Sequence, residues 1–287
     1  MNVFESSDMW AMNLVEGVAK NWAMIPTMGA LHQGHLSLIR EAQKQGYRTI
    51  VSIFVNPLQF NNPADLEKYP RNLERDLSLL SGLDVDAVWT PSSATIYPEN
   101  FAEISLDLGN LDQVFEGYYR PGHFNGVVQV LHRLFSLIKP EAVFFGQKDL
   151  QQCLVVERLL HNYFPQIQYF RIPTQRATSG LALSSRNERL SAKGKETASE
   201  IYTSMVMIEN HLNNYEKVLQ GELERLNKLE IEVEYLDWVT LPDMQRVITQ
   251  ANPIRDRDSA IVFAGFLEGV RLIDNLIIPA SDRKSVV

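Results

Sequence analysis

Five short apolar runs at residues 22–25, 49–55, 87–89, 142–145 and 168–172 alternate with helical periodicity at 36–45, 73–81, 126–138 and 150–164. This alternation constrains the chain more than any other feature. Strands that read as continuous apolar stretches are buried on both faces, as in parallel sheets. Parallel neighbours need crossover connections, and the intervening helices supply them with the right-handed sense. The expected first domain is therefore α/β, a Rossmann-like doubly wound parallel sheet. In such sheets ligands collect beyond the carboxyl ends of the strands.

The polar, glycine-containing loops lie at those ends. Residues 26–35 follow the first run, 56–60 the second, 146–149 the fourth and 176–187 the fifth. After Pro173 the pattern changes. Residues 191–229 read as charged helix, 231–241 alternate like a strand, and 260–266 and 270–278 read as two more strands. This predicts a smaller α+β domain over 175–287 after a first domain over 1–174, joined through the loop 173–189.

The first loop is the most informative. Met28, Gly29, Ala30, Leu31, His32, Gln33, Gly34 and His35 stand between a strand and a helix. Glycines allow close approach of backbone to a ligand, and the first N–H groups of the helix are expected to form an anion site. His32 and His35 add donors for charge developing on a phosphate. The combination suits an enzyme that holds a nucleoside triphosphate and stabilises departing pyrophosphate. A phosphate loop of the Gly-x-x-x-x-Gly-Lys-Ser/Thr type is ruled out, because His35 and Leu36 occupy the cation and magnesium positions. A capping role or a metal site remains the alternative for the His-x-Gly-His pair. No cysteine or nearby acidic cluster completes a zinc set. Leu183, Ser184, Ser185, Arg186 and Asn187 combine hydroxyls with a guanidinium, which grips phosphate oxygens bidentately, though the composition is also ordinary for a loop. Lys148 follows a strand end beside Gly146. Asn56, Gln59, Gln151 and Gln152 are neutral amides suited to a small polar substrate, or to turns and helix surfaces. His123, His132, His161 and His211 are scattered and read as surface or structural residues.

Composition narrows the classes. The chain has 287 residues, 45% hydrophobic and 22% charged, with a net charge of −8. An acidic balance disfavours an extended nucleic-acid surface but not a nucleotide site. No apolar run reaches the roughly 18 residues of a membrane helix, and the first residues lack the pattern of a secretory signal. Cys153, the single cysteine, reads as core and fits a reducing compartment. A cytoplasmic protein is expected.

With these loops assembled, the chain resembles the pantothenate synthetase (pantoate–β-alanine ligase) family of the His-x-Gly-His nucleotidyltransferase superfamily. The shared segments run from 26–35 and 52–60 through Tyr69, Pro70 and Arg71, then 120–124, 145–152 and 180–187 to Arg271, Leu272, Ile273, Asp274 and Asn275. The resemblance implies a two-step ATP-dependent ligation through a pantoyl adenylate, with Mg2+ on the triphosphate, pantoate and β-alanine as substrates, and a homodimer whose C-terminal domain acts as a lid. It also implies site roles. Met28 to His35, Gly146, Gln147, Lys148, Asp149, Gln175, Leu183, Ser184, Ser185 and Arg186 would bind ATP. His32, His35, Lys148, Ser184, Ser185 and Arg186 would act in catalysis. Gln59 and Gln152, with Asn56, would hold substrate. Asp76 matches a carboxylate placed near magnesium, with an exposed helix acid as its alternative. The chain departs from the family where Gln147 replaces Glu, Gln175 replaces a small aliphatic residue and Ser179 replaces Asp. Another nucleotidyltransferase of the superfamily and a catalytically inactive nucleotide-binding protein are the rival readings.

Overall fold

The apolar runs of the first half become parallel strands of one sheet. In the computed structural model, which describes residues 1–5, 21–60, 66–67, 69–247 and 257–280, the strands are β1 (Asn2–Phe4), β2 (Trp22–Thr27), β3 (Arg48–Ile53), β4 (Ala87–Trp89), β5 (Ala142–Gly146) and β6 (Gln168–Ile172). Their order is β1-β4-β3-β2-β5-β6, all parallel. β1 has no counterpart in the sequence reading. It is three residues at a sheet edge with two of them exposed, too short to show a period.

Among the described residues the longer helices between these strands are α1 (Gln33–Lys44), α2 (Leu73–Ser81), α3 (His123–Ile138) and α4 (Leu150–Tyr163). The chain runs outward from β2 through β3 to β4, then returns to the other side of β2 as β5. The strand order thus reverses between β2 and β5, the place where open sheets leave a crevice. The loop after β2 and the end of β5 at Gly146 emerge there. Beneath them Ala23, Ile25, Val51, Val88, Ala142 and Phe144 of the sheet pack with Leu36, Ile39 and Ala42 of α1 and Leu80 of α2. This apolar layer fixes the strand ends from which the loops project.

Element ends differ from the periodicity for local reasons. α1 begins three residues early because its first turn is capped by imidazoles rather than marked by apolar spacing. β3 stops at Ile53, and the chain turns through Pro57–Gln59, capped by the Asn56 side chain on Leu58 N–H. α3 begins at His123, after the left-handed Gly122 (φ 80°).

The chain divides into two compact units, Met1–Gln147 with Gln151–Pro173, and Lys148–Leu150 with Thr174–Val287. The second unit contains α5 (Ala192–Glu209), α6 (Tyr215–Lys228) and an antiparallel sheet of β7 (Glu232–Thr240), β8 (Ser259–Leu267) and β9 (Val270–Ile278) in that order. The helical stretch expected over 191–229 is broken by a turn at Leu212–Asn214. Ile201, Met205, Leu226, Trp238, Ile261 and Phe263 make a core separate from that of the first unit. Lys148–Leu150, which the sequence assigns to the first domain, groups with this unit, and Asn275 Nδ2 donates to the Lys148 carbonyl at 2.9 Å. Among the described residues no helix is long and apolar enough to cross a membrane.

Candidate active site

The loop after β2 is held from three sides. Thr27 Oγ1 donates to the Ser52 carbonyl and accepts from Gly29 N–H at 3.2 Å. Ala30 and Leu31 donate their N–H groups to the two carboxylate oxygens of Asp76, at 2.9 and 2.8 Å. His32 and His35 cap α1 reciprocally: Gly34 N–H donates to His32 Nδ1 at 3.1 Å, and His32 N–H to His35 Nδ1 at 3.3 Å. Of the donors expected to face an anion, the Gly34 N–H and the N–H of the cap residue His32 are thus taken up by imidazole nitrogens, while His35 and Leu36 donate to the His32 carbonyl.

This arrangement decides the tautomers. A ring nitrogen that accepts a hydrogen bond carries no proton, so each neutral imidazole bears its hydrogen on Nε2. The loop converts backbone donors into two side-chain donors with fixed polarity. The rings lie 4.2 Å apart at 47°. Gly34 makes room for them, since a Cβ there would lie 2.8 Å from His32 Cε1.

Gln59 sits on the same rim in a pinned turn. Asn56 is 1% exposed, and its amide is fully committed. Nδ2 donates to Gln59 Oε1 and to the Gly126 carbonyl, both at 3.0 Å. Oδ1 accepts from Leu58 N–H and from the Tyr97 hydroxyl, the latter at 2.7 Å. Burial, reinforced by Glu103, pushes the Tyr97 hydroxyl well up, so it remains a donor. Asn56, expected among the substrate ligands, is thus used to orient Gln59. Gln59 Nε2 in turn approaches Met28 Sδ at 3.0 Å. His123 Nδ1 meets the Gln59 carbonyl at 2.8 Å. Gly126 lets α3 abut the turn, because a Cβ there would overlap the Leu58 carbonyl.

On α4, Gln152 is half-buried. Its neighbour Gln151 is structural. Its amide donates to the Leu111 and Val114 carbonyls and accepts from Glu116 N–H. Gly146 and Gln147 are half-buried at the end of β5.

The magnesium role expected for Asp76 does not fit. Its side chain is 1% exposed, and a Cβ on Gly29 would lie 2.9 Å from Oδ2. Both oxygens hold backbone N–H groups, leaving no room for the hydrated octahedron that magnesium keeps. The exposed-acid alternative fails on the same burial. Among the described residues no group of three or more His, Cys, Asp or Glu could hold a metal.

The second unit carries the remaining expected residues. Lys148, Ser184, Arg186, Asn187, Arg271 and Asp274 line one small cleft. Lys148 is mostly buried and lies 3.9 Å from Asp149, a distance at which a half-exposed pair holds it only weakly. Ser184 Oγ accepts from Arg186 N–H, opening the turn Ser185–Arg189. Gln175 is exposed, and its carbonyl accepts from Leu183 N–H.

The sequence reading assigns no role to the residues that fasten this segment. Arg176 makes a two-pronged pair with Asp274 at 2.6 and 2.9 Å. It also donates to the Gly180 and Asn275 carbonyls and stacks on Tyr202, 3.9 Å from the ring centroid. Burial pushes the Asp274 carboxyl up, and Arg176 opposes that shift. Asp274 and Asn275 lie within the shared segment 271–275, which was the available signal.

Comparison with known proteins follows the same outline. The sequence profile of the family described as pantoate-beta-alanine ligase matches residues 3–277. The pantothenate synthetase of Cytophaga hutchinsonii is 42% identical over 275 residues, covering 93% of this chain and 95% of that protein. The pantoate–β-alanine ligase of Schizosaccharomyces pombe is 37% identical over 275 residues, covering 92% and 95%. Among solved structures, the Thermus thermophilus pantothenate synthetase superposes with a TM-score of 0.87 at 35% identity, covering 96% of this chain and 99% of that one. The Francisella tularensis ligase, solved with a β,γ-ATP compound and β-alanine, gives 0.80 at 34% identity, covering 96% and 97%. A profile match over nearly the whole length, together with relatives well above 30% identity, places the chain in the pantoate–β-alanine ligase family.

Proposed function

We propose that this protein joins pantoate to β-alanine in an ATP-dependent, AMP-forming reaction. The observation that carries the reading is the pair His32 and His35, whose Nδ1 atoms accept backbone N–H groups and whose neutral rings are thereby set as Nε2–H donors. Such donors stabilise charge on phosphate oxygens without themselves being ionised.

In the first step a pantoate carboxylate oxygen attacks the α-phosphorus of ATP. A new P–O bond forms, the bond to the β-phosphate oxygen breaks, and pyrophosphate leaves with the pair of electrons. In the second step the free amine of β-alanine attacks the acyl carbon of the adenylate. The C–N bond forms, the C–O bond to AMP breaks, and the nitrogen loses a proton. Magnesium would accompany ATP and offset charge on its phosphates, and among the described residues no cluster of His, Cys, Asp or Glu would hold it by itself. Met28 to His35, Gly146, Gln147, Lys148, Asp149, Gln175 and Leu183 to Arg186 form the nucleotide set. Within it the family resemblance assigns His32, His35, Lys148, Ser184, Ser185 and Arg186 to the phosphates. Gln59 and Gln152 hydrogen-bond pantoate, and Asn56 orients Gln59. The domain division near residue 174, a lid role for the C-terminal part and a cytoplasmic homodimer accompany this reading through the family resemblance.

The test is product analysis with each substrate omitted in turn. ATP, pantoate and β-alanine together should yield AMP and pyrophosphate in equal amounts. Without β-alanine, turnover should stop after one equivalent of pyrophosphate. Formation of ADP and phosphate would reject the adenylate route.

A further inference from the structure

Three consecutive N–H groups in the β2–α1 loop, those of Gly29, Ala30 and Leu31, point to side chains of the protein itself. Gly29 (φ 78°) and Ala30 (φ 51°) are both left-handed. The N–H groups of Ala30 and Leu31 converge on one side chain, the concavity that turn backbone makes for an anion. Left-handed backbone is unfavourable for alanine, so something must hold it. The carboxylate of Asp76 fills the concavity, one oxygen to each of the Ala30 and Leu31 N–H groups. It comes from α2, whose start is fixed by the Asn72 side chain accepting from Arg75 N–H. The next residue, His32, is itself the imidazole cap of α1.

We propose that Asp76 is a positioning residue: an internal anion that occupies the backbone nest of the nucleotide loop, holds Gly29 and Ala30 in left-handed geometry and so sets the direction of the His32 and His35 donors. The inference rests on the ligase reading for its effect on turnover, and on geometry alone for its effect on the loop. The carboxylate takes the two N–H groups that an anionic ligand would otherwise have used. In this chain the nest is closed to substrate, and phosphate recognition passes to side chains. That accounts for two histidines at a position where other nucleotide loops use backbone. It also accounts for Gly29. Its φ is left-handed, and a Cβ would lie 2.9 Å from Asp76 Oδ2 and 3.2 Å from Ile53 Cγ2.

Asp76→Asn keeps the shape but turns one donor toward another donor. Gly29→Ala leaves the Asp76 side chain unchanged and sets a methyl group 2.9 Å from its Oδ2, straining the same contact from the loop side. Backbone hydrogen exchange by mass spectrometry, without substrate, should show peptides covering 28–36 exchanging at least about tenfold faster in both variants. Peptides from β5, β6 and the second unit should be unchanged. Because misplacing a reacting group by about 1 Å costs about 10²-fold, kcat for AMP formation should fall by about that factor. The magnesium concentration for half-maximal rate should stay within about twofold of wild type, because no metal bond is lost. Normal exchange in the loop of Asp76→Asn would overturn the proposal, and a large rise in the magnesium requirement alongside it would make Asp76 a metal ligand. Faster exchange throughout the first unit would reduce it to a general stability residue. Failure of wild type to make AMP from pantoate and β-alanine would reject the ligase reading and leave the exchange result standing.

Discussion

A single methyl group tests the imidazole pair. Alanine at Gly34 would place its Cβ 2.8 Å from Cε1 and 2.9 Å from Nδ1 of His32, so the ring must rotate. Rotation breaks the bond from Gly34 N–H and moves the Nε2–H donor. Gly34→Ala should therefore lower kcat/KM by about 10²–10³, the loss typical of one transition-state donor, and should match His32→Ala in steady-state assays. Near-normal kcat/KM in Gly34→Ala would show that the position of His32 is not required. Asn56 teaches the complementary lesson. From sequence, an amide beside a strand end reads as a ligand. Here all four of its hydrogen-bonding positions go to Leu58, Gln59, Tyr97 and Gly126, partners that adjoin it only through the fold or a tight turn. Residue type and location were legible in sequence. The direction in which each polar atom is spent was not.

At the scale of elements, α3 carries a group whose protonation bears on stability. His132 packs against Tyr163 and Phe164, with ring centroids 5.2 and 5.3 Å away. Burial, and then the neighbouring Arg133, lower its pKa from the ordinary 6.5. The folded state thus favours the neutral ring, and in acid the unfolded chain takes up the proton first. Stability should fall as pH drops below about 6.5. His132→Phe keeps an aromatic ring without the titration. Between about pH 7.5 and about pH 5.5, a span that brackets the ordinary histidine pKa, its urea midpoint should drop less than that of wild type. Equal drops would exclude His132 as the linked group. Elements of this kind were the legible part of the chain. α2 and β9 span the residues their periodicity indicates, because each has a strong apolar stripe or run. β1 was hidden by its length. The roles of Asp76 and Asp274 were hidden by distance. Asp76 meets Ala30 across 46 positions, and Asp274 meets Arg176 across 98. No local pattern encodes such pairings, and a buried carboxylate looks in sequence like any acid on a helix or strand.

At the scale of the whole molecule the described residues include two cores of different construction. One is layered on a parallel sheet, and the other packs two helices on an antiparallel sheet of three strands. A cavity in one core removes contacts from that core's own residues, so its cost should appear first in the unit that contains it. Ile261 of β8 is fully buried in the second core. Ile261→Ala should cost about 2–5 kcal/mol. Native-state hydrogen exchange would locate that cost. Amides of β7, β8 and β9 should lose protection by a factor corresponding to the measured destabilisation, while those of β2, β3 and β5 keep wild-type protection. Leu80→Ala in the first core should give the reverse pattern. If either variant instead lowers protection equally in both sheets, the chain opens as one cooperative body. The division into two units would then describe its contacts but not its energetics.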